Sequence, residues 1–204
     1  MELEAEVRKL YIDNAIHLIA TGGFEKATTK ELTHCGGNLP GLKMNEVYLY
    51  RLFGSKENLY EAAFLQLDEE VYVAFKSGLN AVGGFADYSK EKMEQFFRMA
   101  WKFLLQNEEK FRCYVRYYYS IYLNGRSLAL HEKRFDRIAA EFMPLFKEEV
   151  DVNALLHSVF SALLDFAVCV YNGQLINNEI NRPHIYNVLY CMMMTYFVDS
   201  AKVS

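Results

Sequence analysis

Apolar residues recur at helical spacing along almost the whole chain. Val7, Leu10, Tyr11, Ala15, Leu18 and Ile19 form one stripe, which predicts an amphipathic first helix. Gly22-Gly23 ends it, because glycine takes the left-handed conformation that follows a helix. Thr28, with Glu31 three residues on, fits a capping box and starts a short second helix from Thr29 to His34. A glycine-rich turn follows, with Gly36, Gly37, Pro40 and Gly41. A third short helix is expected from Asn45, its candidate N-cap, to Leu52. Gly54 stops it, and Ser55 caps a longer fourth helix carrying Leu59, Tyr60, Ala63, Phe64, Leu67, Val71 and Phe75. Gly78, Gly83 and Gly84 mark the next loop. Further helices are expected near Ser89–Gln106, Glu108–Leu123, Ser127–Glu148, Asn153–Tyr171 and Arg182–Lys202, with Pro144 kinking or splitting one of them. No repeat, low-complexity stretch or strand pair interrupts this pattern. The expected fold is all-α, with about nine helices. It has a three-helix domain at residues 1–54 and a larger helical bundle at residues 55–204.

Composition narrows the class. In 204 residues, 52% are hydrophobic and 24% charged, which is a globular balance. Three prolines leave room for long helices. Cys35, Cys113, Cys169 and Cys191 are far apart and contain no C-x-x-C pair, so they read as free thiols of a reducing, cytoplasmic compartment. The start of the chain is charged and carries no secretory pattern. The most apolar tract, Val159 to Tyr171, is interrupted by Asp165. It reads as a buried helix too short for a bilayer, which takes about 18 apolar residues, and no membrane partner is expected. The net charge is −4. Up to residue 60, seven Lys and Arg stand against eight Asp and Glu. A nucleic-acid surface here must therefore come from clustered positive groups, such as Lys43, Arg51 and Lys56 with Lys9 or Lys30.

The order short helix, turn, short helix, flanked by a helix on each side, is that of a helix-turn-helix, whose second helix enters the major groove. The residues sharpen this. Ala15-Ile16, Ala20-Thr21-Gly22-Gly23-Phe24, Ala27-Thr28-Thr29, Glu31-Leu32, Leu49-Tyr50-Arg51-Leu52-Phe53 and Gly54-Ser55-Lys56-Glu57-Asn58-Leu59-Tyr60 resemble the TetR family of transcriptional regulators. The match covers residues 7 to 64. The resemblance implies a DNA-reading domain, a ligand-sensing and dimerising domain, and a double-stranded operator as partner. Lys56 and Ser55 stand at a helix start that favours a phosphate, and Tyr50 adds a hydroxyl donor. Thr29, Lys43, Asn45, Glu46, Tyr48 and Arg51 complete the expected DNA-binding set. The sequence departs from the family in its longer turn at residues 36–44. It also has Val47-Tyr48 where a small residue and a threonine are usual.

Aromatic residues crowd the stretch from Phe96 to Tyr122. Tyr114, Tyr118 and Tyr122 recur four apart, as one helical stripe. With Trp101, Phe166 and Cys169 they are candidates to line one cavity, with Asp165 or a tyrosine hydroxyl as polar anchor. Such a pocket suits a small apolar or aromatic ligand, or with Asp165 a cation. The last two helices are apolar around much of their circumference. Leu155, Val159, Leu163, Val188, Met192 and Thr195 are the expected face of a two-fold homodimer.

Catalytic patterns do not accumulate. Glu31 and His34 form one Glu-x-x-His pair, but a di-iron bundle needs two. No H-E-x-x-H, Gly-Lys-Ser/Thr phosphate loop or G-x-S-x-G occurs. No enzyme, cofactor or metal is expected. The function expected is a ligand-responsive transcriptional regulator, a repressor released by a small molecule. The alternative is a helical ligand-binding or protein-interaction module of the same fold that has lost DNA binding.

Overall fold

The computed structural model describes residues 2–34, 44–85 and 88–198. Nine α-helices run through them with no strand: α1 (Glu2–Lys26), α2 (Thr29–His34), α3 (Glu46–Phe53), α4 (Lys56–Ala81), α5 (Lys90–Gln106), α6 (Glu108–Tyr118), α7 (Gly125–Phe142), α8 (Val152–Tyr171) and α9 (Asn181–Met194). The all-α expectation holds. The chain divides into two compact units. The first is Met1–Glu69 with Glu108–His131, and the second is Glu70–Asn107 with Glu132–Ser204.

Local signals set most element ends in the first unit. Gly23 sits at φ 75° inside α1, so the regular helix breaks there, and a side chain would meet the Arg116 guanidinium at 2.8 Å. The Thr28 hydroxyl accepts the Glu31 N–H at 3.3 Å and opens α2. The Asn45 side chain accepts the Tyr48 N–H at 3.0 Å and opens α3. Gly54, at φ 78°, returns its N–H to the Tyr50 carbonyl and closes it. The Ser55 hydroxyl accepts the Asn58 N–H at 3.1 Å and opens α4. Tyr11, Ala15 and Ile19 of α1, Leu32, Leu49 and Phe53 of the short helices, and Leu59, Ala63 and Phe64 of α4 are buried. Helix α1 also packs along α6. Phe64 stacks on Tyr114 and Tyr117 with ring centroids 5.2 and 4.5 Å away, and Phe24 packs against Tyr60 and Tyr122.

The second unit is built on rings. Phe96 contacts Phe75, Phe85 and Phe142 edge-on, and Phe75 meets Phe160. Lys76 pairs with Glu141. Beyond α7, Met143–Leu145 forms a single 3₁₀ turn with Pro144 in it, the split that this proline predicts.

Four expectations are corrected. Helix α6 ends at Tyr118, not Leu123, so Tyr122 lies in the following turn and not on a stripe with Tyr114 and Tyr118. The turn is fixed by Tyr117, whose carbonyl accepts the Ser120 hydroxyl at 2.7 Å while its own hydroxyl reaches the Tyr122 carbonyl at 2.9 Å. Helix α9 ends at Met194, not Lys202. Phe197 instead forms an isolated antiparallel bridge with Phe146, carried by Lys147 N–H to Tyr196 and Val198 N–H to Leu145. Helix α4 runs through Gly78, which lies against the Phe96 ring. Finally, α8 has 20 residues and is long and apolar enough to cross a membrane by length and composition, so shortness is no argument against it.

Candidate nucleic-acid interface

Helices α2 and α3 pack on α1 through bonds that hold both ends of the motif. Asn14, buried on α1, donates to the carbonyls of Leu32 (2.7 Å) and Glu31 (3.3 Å) at the end of α2. Tyr11, fully buried, donates its hydroxyl to the Asn45 carbonyl at 2.8 Å and accepts the Asn45 N–H at 3.1 Å. One tyrosine thus fixes the residue that caps α3. Burial holds the Tyr11 hydroxyl above the usual tyrosine range, partly offset by the bond to Asn45. At the other end of α3, Arg8 donates to the Leu52 carbonyl at 2.9 Å and lays its guanidinium 4.4 Å over the Phe53 ring. A cation is well placed at a helix C-terminus. Tyr60 of α4 donates to the Ala27 carbonyl between α1 and α2. Burial, with smaller contributions from Tyr122 and Glu57, pushes its pKa up to about 12.

What α3 leaves outside is a face of mixed chemistry. Glu46, Val47, Tyr50 and Arg51 are exposed, Val47 to 76% and Tyr50 to 48%. Tyr48 is half-buried, and the Arg51 guanidinium lies 4.3 Å over its ring, which stiffens an otherwise mobile cation. Leu49 and Phe53 face inward. Thr29 is the half-buried first residue of α2. Lys56 is the first residue of α4, half-buried, with Glu57 at 3.9 Å. That pair is largely solvated and leaves the ammonium available. Lys43, and the turn at 36–44 apart from Met44, lie outside the described residues.

The candidate pocket residues divide between the units. Tyr114, Tyr118 and Tyr122 belong to the first. Trp101, Asp165, Phe166 and Cys169 belong to the second. Tyr114 is buried and donates to Asp68 at 3.3 Å, and Tyr122 packs against Phe24 at a tilt and against Tyr60 edge-on. Trp101 is buried and donates to Asn177 at 3.1 Å. Asp165 is exposed on α8, whereas Phe166 and Cys169 are half-buried. Of the expected dimer face, Leu163 is buried within its own unit. Leu155, Val159 and Met192 are half-buried, and Val188 and Thr195 are exposed.

Two features escaped sequence reasoning. Asp68 and His131 form a buried pair, 3% and 4% exposed, with His131 Nδ1 2.7 Å from Asp68 Oδ1. The signal was available for Asp68, a carboxylate on the otherwise apolar stripe of Phe64 and Leu67. Arg8 gave none, being one charge among several near the N-terminus.

These elements define the class: an all-α protein whose first unit carries a helix-turn-helix with an exposed second helix. No protein-family model matches the sequence, and no curated protein matches it. Solved structures do match. A TetR family transcription regulator from Marinobacter aquaeolei VT8 superposes with a TM-score of 0.72 over 94% of this chain and 98% of its own, at 16% identity. A TetR-like transcriptional regulator from Rhodococcus sp. RHA1 gives 0.62 over 91% and 93%, at 15% identity. A protein from Saccharomonospora viridis, described as a transcriptional regulator and solved in complex with choline, gives 0.61 over 96% and 99%, at 16% identity. The chain has the fold of the TetR family of transcriptional regulators.

Proposed function

We propose that this protein is a DNA-binding transcriptional regulator that works as a homodimer in the cytoplasm and changes its DNA affinity when a small molecule binds. The observation that carries the reading is the α3 face. Glu46, Val47, Tyr50 and Arg51 project from a short helix whose two ends are pinned by Tyr11 and Arg8. A helix held so firmly, with so little of that face used for packing, suits insertion into a major groove. Thr29, Asn45 and Tyr48 frame it. Lys56, at the start of α4, would hold a backbone phosphate together with the helix N-terminus. Lys43 is a further proposed DNA contact, on the sequence alone.

Dimerisation is supported by α8, whose most apolar stretch is only 28% buried within the protomer, and by Val188 exposed on α9. Apolar helix faces of this extent suit a two-fold four-helix interface, in which Leu155, Val159, Leu163, Met192 and Thr195 would take part. The fold match to a protein bound to choline supports a ligand-sensing role for the larger domain at 55–204, with Trp101, Tyr114, Tyr118, Tyr122, Asp165, Phe166 and Cys169 as candidate contacts. Release from an operator makes the protein a repressor. No catalytic role is proposed.

The test is DNA binding to sites that the protein selects from a random pool, measured against salt, with Lys56→Ala alongside. Salt-sensitive binding that the variant weakens, with a salt slope shallower by about one, supports the reading. No sequence-selective binding at low salt, with or without small-molecule extracts, overturns it. One observation favours the second reading, a module of this fold without DNA binding: Glu46 puts an exposed carboxylate on the first turn of the groove-facing helix.

A further inference from the structure

A cleft of about 400 Å³ opens in the first unit, beside the helix-turn-helix. That volume is in the range that holds a small organic molecule. Its walls come from α1, the end of α3, α4 and the start of α7, and its apolar part is Ile12, Leu52, Phe53, Ala62 and Leu65. The polar part is Arg8, Arg126, Glu61 and Asn58. Asn58 is already engaged, donating to the Phe53 carbonyl at 2.8 Å. Arg8 uses one nitrogen on the Leu52 carbonyl and keeps its other donors. Arg126 is 74% exposed and meets Glu61 only at 4.0 Å, a contact too long and too wet to hold it.

We infer that this cleft is a binding site for a small amphipathic carboxylate, with its anionic head between Arg8 and Arg126 and its apolar tail on Ile12, Ala62 and Leu65. The charge count selects the head. Two guanidinium groups against one carboxylate leave a single positive charge, which one carboxylate neutralises. The planar fork of arginine also fits a carboxylate. The apolar wall selects the tail: a bare inorganic anion would leave it wet, and a cation would meet two arginines. The site is distinct from the aromatic residues proposed above as ligand contacts. It also has a consequence for α3. A carboxylate on the remaining donors of Arg8 shares that guanidinium with the Leu52 carbonyl, at the C-terminal end of α3.

The experiment is calorimetric titration of the full chain with octanoate, and in parallel with acetate, octan-1-ol and octylammonium. Its readout is binding alone, so it stands whether or not the protein binds DNA. Octanoate is expected to saturate one site, with acetate and octan-1-ol each about tenfold weaker and octylammonium without effect. Arg126→Ala, at an exposed position that folding does not need, is expected to weaken octanoate about fivefold. Leu65→Trp, which fills the cleft, is expected to abolish it. Octan-1-ol binding as tightly as octanoate overturns the inference. So does octanoate binding that both variants leave unchanged, or the absence of saturation by about 20 mM, where affinity is too weak to be specific.

Discussion

Tyr11→Phe is the most direct test of how α3 is held. The substitution keeps the ring, including its edge contact with Phe53 at 6.1 Å, and removes one oxygen. That oxygen makes two bonds, donating to the Asn45 carbonyl at 2.8 Å and accepting its N–H at 3.1 Å. A neutral hydrogen bond contributes about 0.5–1.5 kcal/mol net, so both together are worth about 1–3 kcal/mol. No cavity term adds to this, because the volume change is one hydroxyl. Urea unfolding followed by circular dichroism reads the loss as a shift in midpoint at constant slope. Hydrogen exchange should show the α3 amides opening faster, since the cap at Asn45 loses its anchor. The pH dependence has a fixed sign. Burial holds the Tyr11 hydroxyl protonated in the folded state above its ordinary pKa of 10.0. Wild-type stability from this group is therefore complete below that value and declines as pH rises beyond it. The gap between wild type and Tyr11→Phe should narrow in the alkaline range. A loss below about 0.5 kcal/mol at neutral pH would refute the reasoning, because it would make both bonds no better than water.

Two further outcomes follow from the same unit. Val47 projects 76% exposed from α3, and under the proposed function it is an apolar side chain suited to a thymine methyl group. On selected DNA, replacing the contacted thymine by uracil should cost about 0.8 kcal/mol, about fourfold in affinity, and Val47→Ala should erase that penalty; an unchanged penalty refutes the contact. Tyr60, pushed up to about 12, should make stability fall with a slope of about 1.4 kcal/mol per pH unit between pH 10 and 12. Tyr60→Phe should lower the slope by that amount in urea unfolding at pH 9 to 12, with Tyr11 and the other raised tyrosines keeping their share, while losing the bond to Ala27 at every pH.

The elements that the sequence made legible are those whose ends are chosen by one or two adjacent residues. Asn45, Gly54, Ser55 and Pro144 act through their own backbone and nearest neighbours, so their effects can be read without the fold. The inward side of α3 is Leu49 and Phe53, four apart on one stripe, whereas periodicity does not by itself set Tyr50 outside, since residues three apart share a face. The errors share the opposite origin. Helix α6 stops at Tyr118 because the Tyr117 hydroxyl, Ser120 and Ser127 hold a turn together, with Tyr117 to Ser127 at 3.3 Å across ten residues. Helix α9 stops early because Phe197 pairs with Phe146, some fifty positions away in sequence. The cleft at Arg8 needs four elements before it exists. Periodicity reports which face is buried but not what it is buried against.

Asp68 and His131 show what such a non-local contact can do. Asp68 is the penultimate residue of α4 in the first unit, and His131 is the last residue of α7 there. Both helices continue into the second unit, so this bond ties together two of the three chain segments that connect the units. The tie sets how independently α4 and α7 move where they leave the first unit. The bond is costly to break. Asp68 accepts from His131 at 2.7 Å and from Tyr114 at 3.3 Å in a site closed to solvent. Deleting the carboxylate in Asp68→Ala removes the acceptor of two buried donors, at about 1–3 kcal/mol each. Asp68→Asn keeps one acceptor oxygen and should recover about half of that loss. Urea unfolding of the two variants checks the order, and hydrogen exchange along α4 and the start of α7 checks the place. If Asp68→Ala unfolds within about 1 kcal/mol of wild type, the donors have found water and the helices are not clamped there. If it is destabilised by more, and amides from Phe64 to Glu69 exchange faster than those of α1, the clamp is the point where α4 is held before it reaches the helix-turn-helix.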